Sequence, residues 1–283
     1  MNCYLCNCSS MEKVDGIVRD KPEVSILKCL ECDLVFLENF NHIEESFYEE
    51  SKMREGEGTF EDWRKSTAVD DKRRFTTLKE QLFNKDVMDF GAGNGGFLNL
   101  AKTRANSVTA VELDREAYKT YRKEGIDFYS NLVEIPHGKK FDIITAFHVI
   151  EHLKDPIGYL REIAKHLKND GRIFLEFPNS EDCLLSLYKS KEFSRFTYWS
   201  CHLMLFNENN IEKVINKADL KCENVKQIQR YPLSNHLYWL AKGKPGGHEK
   251  WPFFNAEKIN KEYEKILSDI GACDTLLVEI TKG

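Results

Sequence analysis

The chain has 283 residues, of which 41% are hydrophobic and 31% charged, as expected for a globular protein with one large domain or one domain with attachments. Its formal net charge of −5 provides no positive field for a nucleic-acid backbone, so no nucleic-acid partner is expected. No stretch approaches the roughly 18 apolar residues of a membrane span, and the N-terminus lacks the apolar core of a signal peptide. These features predict a cytoplasmic protein.

Cysteines are concentrated near the N-terminus, and two C-x-x-C pairs stand out there: Cys3, Cys6, Cys29 and Cys32. Two such pairs supply four thiolates that can close tetrahedrally on Zn²⁺. Short strand-like stretches accompany the pairs, so residues 1–40 are predicted to form a zinc ribbon. A closed four-sulfur site has no position for water, which assigns the ion a structural role. The alternatives are four reduced cysteines in a small sheet, or a ligand set that includes Cys8.

Residues 41–84 are polar, with aromatic residues at helix-like intervals. This pattern predicts two or three helices, broken near Gly56 and Gly58. We expect them to form a collar or lid over the domain that follows.

From residue 85 to residue 283 the pattern changes to strands alternating with helices, beginning with the strand "DVMDF". One amphipathic helix is predicted over residues 157–171. The alternation predicts an α/β fold with a doubly wound, mostly parallel Rossmann-like sheet. Two stretches interrupt it, at about 180–205 and 230–272, and we interpret both as substrate-binding insertions.

The glycine-rich turn in "DVMDFGAGNGGF" is compatible with two cofactors. Gly91, Gly93 and Gly96 fit the spacing of a nicotinamide or flavin site, whereas Gly91, Gly93 and Gly95 fit the turn of an S-adenosylmethionine (SAM) enzyme. Asp89 precedes the turn, where its carboxylate would attract the ammonium of SAM and repel a pyrophosphate. The acid therefore favours SAM.

Two further features bear on the cofactor. Glu112 follows the second strand and can accept hydrogen bonds from a ribose, which both cofactors contain. The fourth strand ends in the polar "FHVIEHL", and the last two strands enclose a long insertion. Two last strands separated by a long insertion are more typical of a seven-stranded sheet with a reversed edge strand than of a fold that contains a second nucleotide-binding half.

Several stretches resemble successive motifs of class I SAM-dependent methyltransferases: "VMDFGAGNGGF", "VTAVELD", "FDIITAFHVIEHLKDPIGYLREIAKHLKNDGRIFLEFPN" and "HLMLFNENNIEKVINKADL". The branch is the one with H-V-x-E-H after the fourth strand. The N-terminal cysteines resemble the zinc-bearing start of that branch, which includes sugar C-methyltransferases. The resemblance covers residues 1–225, and we expect the chain to lack the extra C-terminal domain of those C-methyltransferases.

The resemblance implies a set of residues around SAM. Asp89 would hold the amino-acid end and Glu112 the ribose, while the family's Asp for the adenine amino group is missing and Asn131 or a backbone group takes its place. The implied cofactor-binding residues are Asp89, Gly91, Ala92, Gly93, Gly95, Glu112, Leu113, Phe147 and His148.

Methyl transfer needs an aligned nucleophile and, for a weak nucleophile, a general base. Histidine is the side chain best suited to accept a proton near neutral pH, and His148 and His202 are the catalytic candidates. Alternatively, His148 packs against the cofactor and His202 bonds to a loop. Glu151 and His152 begin a helix, where they would cap it or support their neighbours, and they could also bind a metal ion.

The second insertion combines aromatic and basic residues, which suit a phosphorylated or nucleotide-linked small molecule. Its alternative is a solvated helical insertion with a few core aromatics. The candidate substrate-binding residues are Arg230, Tyr231, Asn235, His236, Trp239 and Lys242.

The leading hypothesis is a SAM-dependent methyltransferase acting on a nucleotide-activated sugar or another precursor of a surface polysaccharide. Three other hypotheses remain: an RNA methyltransferase that uses its zinc ribbon for substrate binding, a non-catalytic module that binds SAM and zinc, and a nicotinamide dehydrogenase.

Overall fold

The computed structural model describes residues 2–43 and 59–283. The predicted break at Gly56 and Gly58, and the first part of the predicted collar, lie outside the described residues. The strands in chain order are β1 (Met11–Lys13), β2 (Ile26–Cys29), β3 (Val35–Leu37), β4 (Asp86–Phe90), β5 (Ser107–Val111), β6 (Asp127–Tyr129), β7 (Phe141–Phe147), β8 (Leu167–Pro178), β9 (Met204–Leu205), β10 (Leu220–Ile228) and β11 (Thr275–Lys282).

Helices alternate with these strands in the described part of the chain. The α-helices are α1 (Phe60–Leu78), α2 (Gly96–Ala101), α3 (Ala117–Glu124), α4 (Pro156–Lys165), α5 (Cys183–Ser186), α6 (Lys191–Thr197), α7 (Glu208–Lys217), α8 (Leu233–Lys242), α9 (Gly247–Lys250) and α10 (Glu257–Asp269). Short 3₁₀ turns cover Leu132–Glu134, Ile150–His152 and Pro252–Phe254. Among the residues the structure describes, no helix has both the length and the apolar character that crossing a membrane requires.

The large sheet has seven strands in the order β10-β11-β8-β7-β4-β5-β6. Strand β11 runs antiparallel to both of its neighbours, and the remaining pairs are parallel. This confirms the predicted seven-stranded Rossmann-like sheet. The antiparallel strand β11, however, is not at the edge of the sheet as predicted. It lies between β8 and β10, and β10, which precedes it in the chain, forms the edge.

Apolar side chains along the central strands explain why they lie inside the sheet. Six of the seven residues of β7 are buried, as are the three central residues of β4. Strands buried on both faces need a layer of helices on each side, which the alternating sequence supplies.

The boundary between α4 and β8 differs from the sequence prediction. Helix α4 ends at Lys165, and β8 begins at Leu167. Leu167 pairs with Phe141, and an irregularity in the register then absorbs the polar residues that follow. Leu167 is fully buried in β8, and an apolar residue at this position fitted the helical pattern equally well, so the sequence did not reveal the change.

A second, antiparallel sheet has the order β1-β2-β3-β9. Its first three strands come from the N-terminal segment, whereas β9 belongs to the first insertion. Val35 pairs with Leu205 and Phe36 with Met204. Apolar residues of the two sheets share one buried cluster, so the N-terminal segment packs directly on the large-sheet domain.

Helix α1 is the part of the predicted collar that the structure describes. It begins with a reciprocal cap, in which Thr59 and Asp62 bond each other's backbone amides. Its side chains reach the glycine turn, since the Asn94 amide donates to Thr67 Oγ1 at 2.8 Å. One helix therefore follows residue 59 and lies beside the predicted cofactor turn.

Candidate functional site

A single cavity of about 1270 Å³ opens where β4, β5, β7 and β8 end at their carboxyl edge. Its wall includes most of the predicted cofactor residues, both catalytic candidates, and most of the predicted substrate residues. Typical small-molecule pockets hold roughly 300–1,000 Å³. The cavity is therefore large enough for a cofactor together with an acceptor.

The glycine turn after β4 has a backbone that demands glycine. Gly91, Gly93 and Gly95 have φ angles of +73°, +56° and +74°, in the left-handed region. A Cβ on Gly91 would lie 2.4 Å from the Val149 side chain, and one on Gly95 would lie 2.8 Å from the Tyr121 ring. The backbone can therefore approach a ligand closely at this turn, and Ala92 also lines the cavity.

Asp89 is buried and lines the cavity beside this turn. Thr145 Oγ1 donates to its Oδ1 at 2.6 Å. Burial raises the pKa of Asp89 to about 7, and it outweighs the opposing effect of the Thr145 hydrogen bond. A buried carboxyl group of this kind gains most from a cationic ligand, which fits the ammonium of SAM.

Glu112 follows β5 directly, and both of its carboxylate oxygens accept backbone amides. Gly93 N donates to Oε2 at 2.7 Å, and Asp114 N donates to Oε1 at 2.9 Å. Burial raises the pKa of this group as well. Each oxygen has a second lone pair, so the carboxylate can still accept from ribose hydroxyls.

The other predicted cofactor residues also line the cavity. Leu113 is partly exposed there, and Asn131 caps the short turn that follows β6. Phe147 is buried at the end of β7, where its ring packs edge-on against Phe97. The structure thus brings all nine predicted cofactor residues to the glycine turn and the adjoining strand ends, although Gly95 lies behind the wall of the cavity.

His148 is held by charged residues on both sides of its ring. Its Nδ1 lies 3.2 Å from Glu151 Oε1, and its Nε2 lies 3.1 Å from an Arg230 guanidinium nitrogen. A guanidinium can only donate, so Nε2 must accept and Nδ1 must carry the proton. The lone pair expected of a general base is therefore already engaged in this arrangement.

Below His148 lies an ion network that joins α1 to β8. Glu176 is fully buried and accepts two hydrogen bonds from Arg73, at 2.9 and 2.8 Å, and one from Arg74 at 2.9 Å. Asp70 pairs with Arg73 and Arg230. The sequence analysis did not select Asp70 or Glu176. An acid inside the apolar stretch "RIFLEFPN" is the signal that could have found Glu176, because buried acids need a cation.

Glu151, His152 and His202 form a tight cluster, with one potential ligand atom from each residue lying within 4.8 Å of the others. Leu203 N donates to the Glu151 carbonyl at 2.8 Å, which brings the His202 loop onto the 3₁₀ turn. The Glu151 carboxylate makes no capping bond to that turn, so the capping role suggested by the sequence is wrong.

Burial sets the protonation of this cluster. It lowers the pKa of His202 to about 4, assisted by the positive charge of His152. For Glu151 burial acts to raise the pKa, but the hydrogen bond from His148 and the charge of His152 outweigh it and lower the pKa to about 2. At neutral pH the cluster is therefore one carboxylate with neutral imidazoles.

Most predicted substrate residues make contacts within the protein. Asn235 Oδ1 accepts the amides of Gly246 and Gly247 at 3.0 and 3.1 Å. His236 is buried, with Nδ1 2.8 Å from the Tyr263 hydroxyl. Trp239 packs against Phe193 and Phe196, and all three predicted residues line the cavity.

The remaining three predicted substrate residues differ in their access to the cavity. The Arg230 guanidinium is bound to Asp70 and His148. Tyr231 is 41% exposed and lines the cavity. Lys242 is exposed at the end of α8 and lies outside the cavity wall.

The four predicted zinc ligands lie together at the N-terminal sheet. The Sγ atoms of Cys3 and Cys32 are 3.5 Å apart, those of Cys6 and Cys29 are 3.4 Å apart, and all four lie within 4.8 Å of one another. Cys8 is not part of this group, and its Sγ accepts the Ser10 amide at 3.2 Å. The four thiols have the spacing that a tetrahedral ion requires.

Comparison with known proteins gives three findings. The family model of the methyltransferase domain matches residues 60–225, which is more than half of the chain. A ubiquinone biosynthesis O-methyltransferase of Haemophilus ducreyi is 30% identical over 191 residues, covering 58% of this chain and 76% of that protein. The enzyme of the same name from Actinobacillus pleuropneumoniae serotype 5b is 28% identical over 186 residues, covering 56% of this chain and 75% of that protein.

A solved structure adds a likeness of fold. A SAM-dependent methyltransferase of Thermotoga maritima superposes with a TM-score of 0.51 at 18% identity, covering 79% of this chain and 94% of that one.

Proposed function

The chain belongs to the methyltransferase domain family and is a SAM-dependent methyltransferase, and we propose that it methylates a hydroxyl oxygen of a small molecule. The observation that carries the proposal is the single cavity whose wall contains both the Asp89 side of the glycine turn and the cluster around His202. The relatives at 28–30% identity, named as O-methyltransferases, support oxygen as the acceptor atom.

The donor side of the cavity would be formed by the glycine turn, Asp89 and Glu112. SAM supplies the reactive methyl group when bound. The Asp89 carboxylate would hold the ammonium and Glu112 the ribose hydroxyls. The absence of side chains at Gly91 and Gly93 would let the backbone lie directly against SAM.

The transfer would be an in-line displacement. The acceptor oxygen forms a bond to the methyl carbon while the bond from that carbon to sulfur breaks, and the electron pair of the broken bond stays on sulfur. The acceptor proton must leave the oxygen. Of the two histidine candidates, His202 is better placed to lie beside the acceptor hydroxyl, because the His148 Nε2 lone pair is engaged by Arg230. The proton itself would leave to solvent.

The cationic side chains at the cavity bear on which small molecule is methylated. Within the described residues the arginines and lysines of the wall all have partners. They are Arg19, Arg74, Lys154 and Arg230. Arg74 and Arg230 are paired with carboxylates, which favours an acceptor without a phosphate beside these two. In the described part of the chain, Arg19 and Lys154 contact only carbonyl oxygens and aromatic rings and keep their charge.

A nucleotide-activated sugar or other polysaccharide precursor is the second candidate acceptor. The Tyr231 ring favours it, because the ring is exposed at the cavity and has the Arg230 guanidinium 5.5 Å from its centroid. An exposed ring of this kind can stack on a nucleobase.

We further propose that Cys3, Cys6, Cys29 and Cys32 bind one structural Zn²⁺. The four sulfur atoms lie within 4.8 Å of one another, as the ligands of one tetrahedral ion do. All nine cysteines are free thiols, as suits a reducing compartment such as the cytoplasm. Metal analysis of the purified protein tests this proposal, and less than one zinc per chain would contradict it.

The experiment for the methyltransferase proposal is a transfer assay with methyl-labelled SAM. The acceptor panel contains simple phenols, catechols, nucleotide sugars, amines and RNA. We expect label on a hydroxyl oxygen of a phenol or catechol. Label on amines or RNA alone would contradict the proposal, and label on nucleotide sugars would select the second acceptor.

A further inference from the structure

We propose that Glu151, His152 and His202 bind one divalent transition-metal cation at the wall of the cavity, where the ion can also contact the acceptor. The binding site follows from the geometry of the cluster. Its role in methyl transfer rests on the proposed function.

The three side chains converge from two separate segments. Glu151 and His152 lie on the 3₁₀ turn after β7, and His202 lies in the loop before β9. One potential ligand atom from each residue lies within 4.8 Å of the others. Donor atoms around one ion approach one another this closely, since each is about 2.0–2.2 Å from the metal.

The hydrogen bonds of the two imidazoles fix the nitrogen that faces the cluster. His152 Nδ1 lies 2.7 Å from the Cys201 carbonyl oxygen, and His202 Nδ1 lies 2.9 Å from the Thr197 carbonyl oxygen. A carbonyl can only accept, so in both neutral rings Nδ1 carries the proton and Nε2 carries the lone pair. Metal-binding histidines are commonly held in this way by a backbone carbonyl behind the ring.

The carboxylate supplies the second independent observation. Glu151 is fully buried, and its Oε1 is 3.2 Å from His148 Nδ1. Its Oε2 is buried with no hydrogen-bond partner among the described residues. An unpaired oxygen of a buried carboxylate is costly, and a cation at the cluster would satisfy it.

The ligand set indicates the class of ion. Two imidazoles and one carboxylate suit Zn²⁺, Fe²⁺, Mn²⁺ or Co²⁺ better than Mg²⁺ or Ca²⁺, which prefer oxygen ligands. Three protein ligands leave coordination positions open to the cavity, unlike a four-cysteine site. Those positions suit two adjacent hydroxyl oxygens, as in a catechol or a vicinal diol.

Another buried group in the described chain provides a contrast. Asp182, Cys183 and His236 also lie close together. Both ring nitrogens of His236 are engaged there, since Nδ1 is 2.8 Å from the Tyr263 hydroxyl and Nε2 is 3.0 Å from Gln229 Nε2. That group is a hydrogen-bond network, and it carries no comparable carboxylate without a partner.

A bound cation would assist the proposed transfer without changing its oxidation state. It would coordinate the acceptor hydroxyl and lower the pKa of that group, so that the proton leaves to solvent before or during the transfer. The oxygen lone pair then forms the new bond to carbon, and the electron pair of the carbon–sulfur bond remains on sulfur.

The test uses protein that carries one zinc per chain at the cysteines and from which any ion at the cavity has first been removed with a chelator. This protein is titrated with Mn²⁺, and the electron paramagnetic resonance signal of the free ion is followed. Mn²⁺ prefers oxygen and nitrogen ligands to thiolates, so the cysteine cluster does not compete. We expect one site per chain, weakened roughly 100-fold or more in His202→Gln and in the isosteric Glu151→Gln. The matched control is His137→Gln, at an exposed histidine away from the cavity.

Each variant is first shown to fold by an unchanged circular dichroism spectrum and an unchanged urea denaturation curve. No stoichiometric Mn²⁺ site, or equal binding by the wild type and folded His202→Gln, would overturn the proposal. Mn²⁺ binding that those substitutions abolish supports the site even if no hydroxyl acceptor is found, in which case the proposed function fails alone. Undiminished O-methylation after removal of this ion by a chelator that leaves the zinc in place would overturn its role in transfer.

Discussion

The two sides of the cavity are built in different ways. The donor side comes largely from one continuous stretch, in which β4 runs into the glycine turn and α2. The acceptor side brings together the turn after β7, the loop before β9 and the insertion after β10. A short sequence motif can therefore encode the first, whereas the second exists only after distant segments have packed.

The supports of the two sides differ as well. Backbone conformation and amide hydrogen bonds hold the donor side, as at Gly91 and Glu112. Buried charges hold the acceptor side, through Glu176 with its arginines and Arg230 with Asp70. Loss of one charge should therefore disturb the acceptor side more than a comparable change would disturb the donor side.

The largest effect is expected from Glu176→Gln, which removes the charge at the centre of this ion network. Among the described carboxylates, Arg73 would keep only Asp70, and Arg74 only its longer contact with Asp71. Breaking a buried ion pair typically costs about 3–5 kcal/mol. We expect that loss in the free energy of unfolding, measured by urea denaturation.

Its matched control is Glu257→Gln in the exposed pair with Lys261, for which no resolvable change in the free energy of unfolding is expected. Similar losses in the two variants would show that the network contributes no more than a surface pair.

The donor side was predictable because its chemistry follows the order of the sequence. Residues 86–97 specify the strand, the turn and the acid together, and the structure has all three where the pattern predicts them. The sheet followed from the same alternation. The position of β11 was wrong, because the order of the last two strands at an edge does not follow from the alternation of strands and helices.

The acceptor side was less predictable because its partners are distant in sequence. The sequence selected His202, but a backbone bond from Leu203 to Glu151 is what completes its cluster. The sequence also indicated Arg230 as a ligand for a substrate phosphate, on the basis of its positive charge alone. Asp70, which lies 160 residues away, accepts that guanidinium in the structure, and no local pattern could have revealed the pair.

The next largest effect is expected at the donor side, from Asp89→Asn. A hydrogen bond to a charged group is worth about 1.5–3 kcal/mol, so SAM affinity should fall roughly 10- to 150-fold. The pKa of Asp89 is raised to about 7, and the carboxylate form is the one that attracts a cation. Affinity for SAM in the wild type should therefore rise with pH through 7 and level off above it.

Calorimetric titration with SAM between pH 6 and pH 8.5, roughly one unit or more on either side of that pKa, measures both effects. The Asp89→Asn variant is the control for the pH dependence of the wild type, since it has no carboxyl group at this position to titrate. A parallel rise of affinity with pH in both proteins would assign the titration to another group.

A smaller effect is expected from Cys6→Ser. This variant tests whether the N-terminal sheet supports the acceptor side of the cavity and not the donor side. Strand β3 pairs with β9, and Leu37 N donates to the Leu203 carbonyl at 3.0 Å, next to His202. Loss of zinc should loosen this contact and lower kcat by roughly tenfold, because small misplacements at a reacting site are costly. SAM affinity should change little.

Cys222→Ser on β10 is the matched control and should alter neither zinc content nor kcat. If Cys6→Ser lost zinc and kept full kcat, the ribbon would have no part in positioning His202.

The smallest effect is expected from Lys242→Ala, and it separates the two candidate acceptors. Lys242 is exposed and lies outside the cavity wall, so its loss should change the KM of the acceptor by no more than about twofold, as for most surface substitutions. Tyr231→Ala, at the wall, should raise that KM by more, because it removes an aromatic surface. Steady-state kinetics with the acceptor found in the panel measure both. A tenfold rise of KM in Lys242→Ala would mean that the bound acceptor extends beyond the cavity to a cation, as a nucleotide-linked substrate would, and would favour the sugar over the phenol.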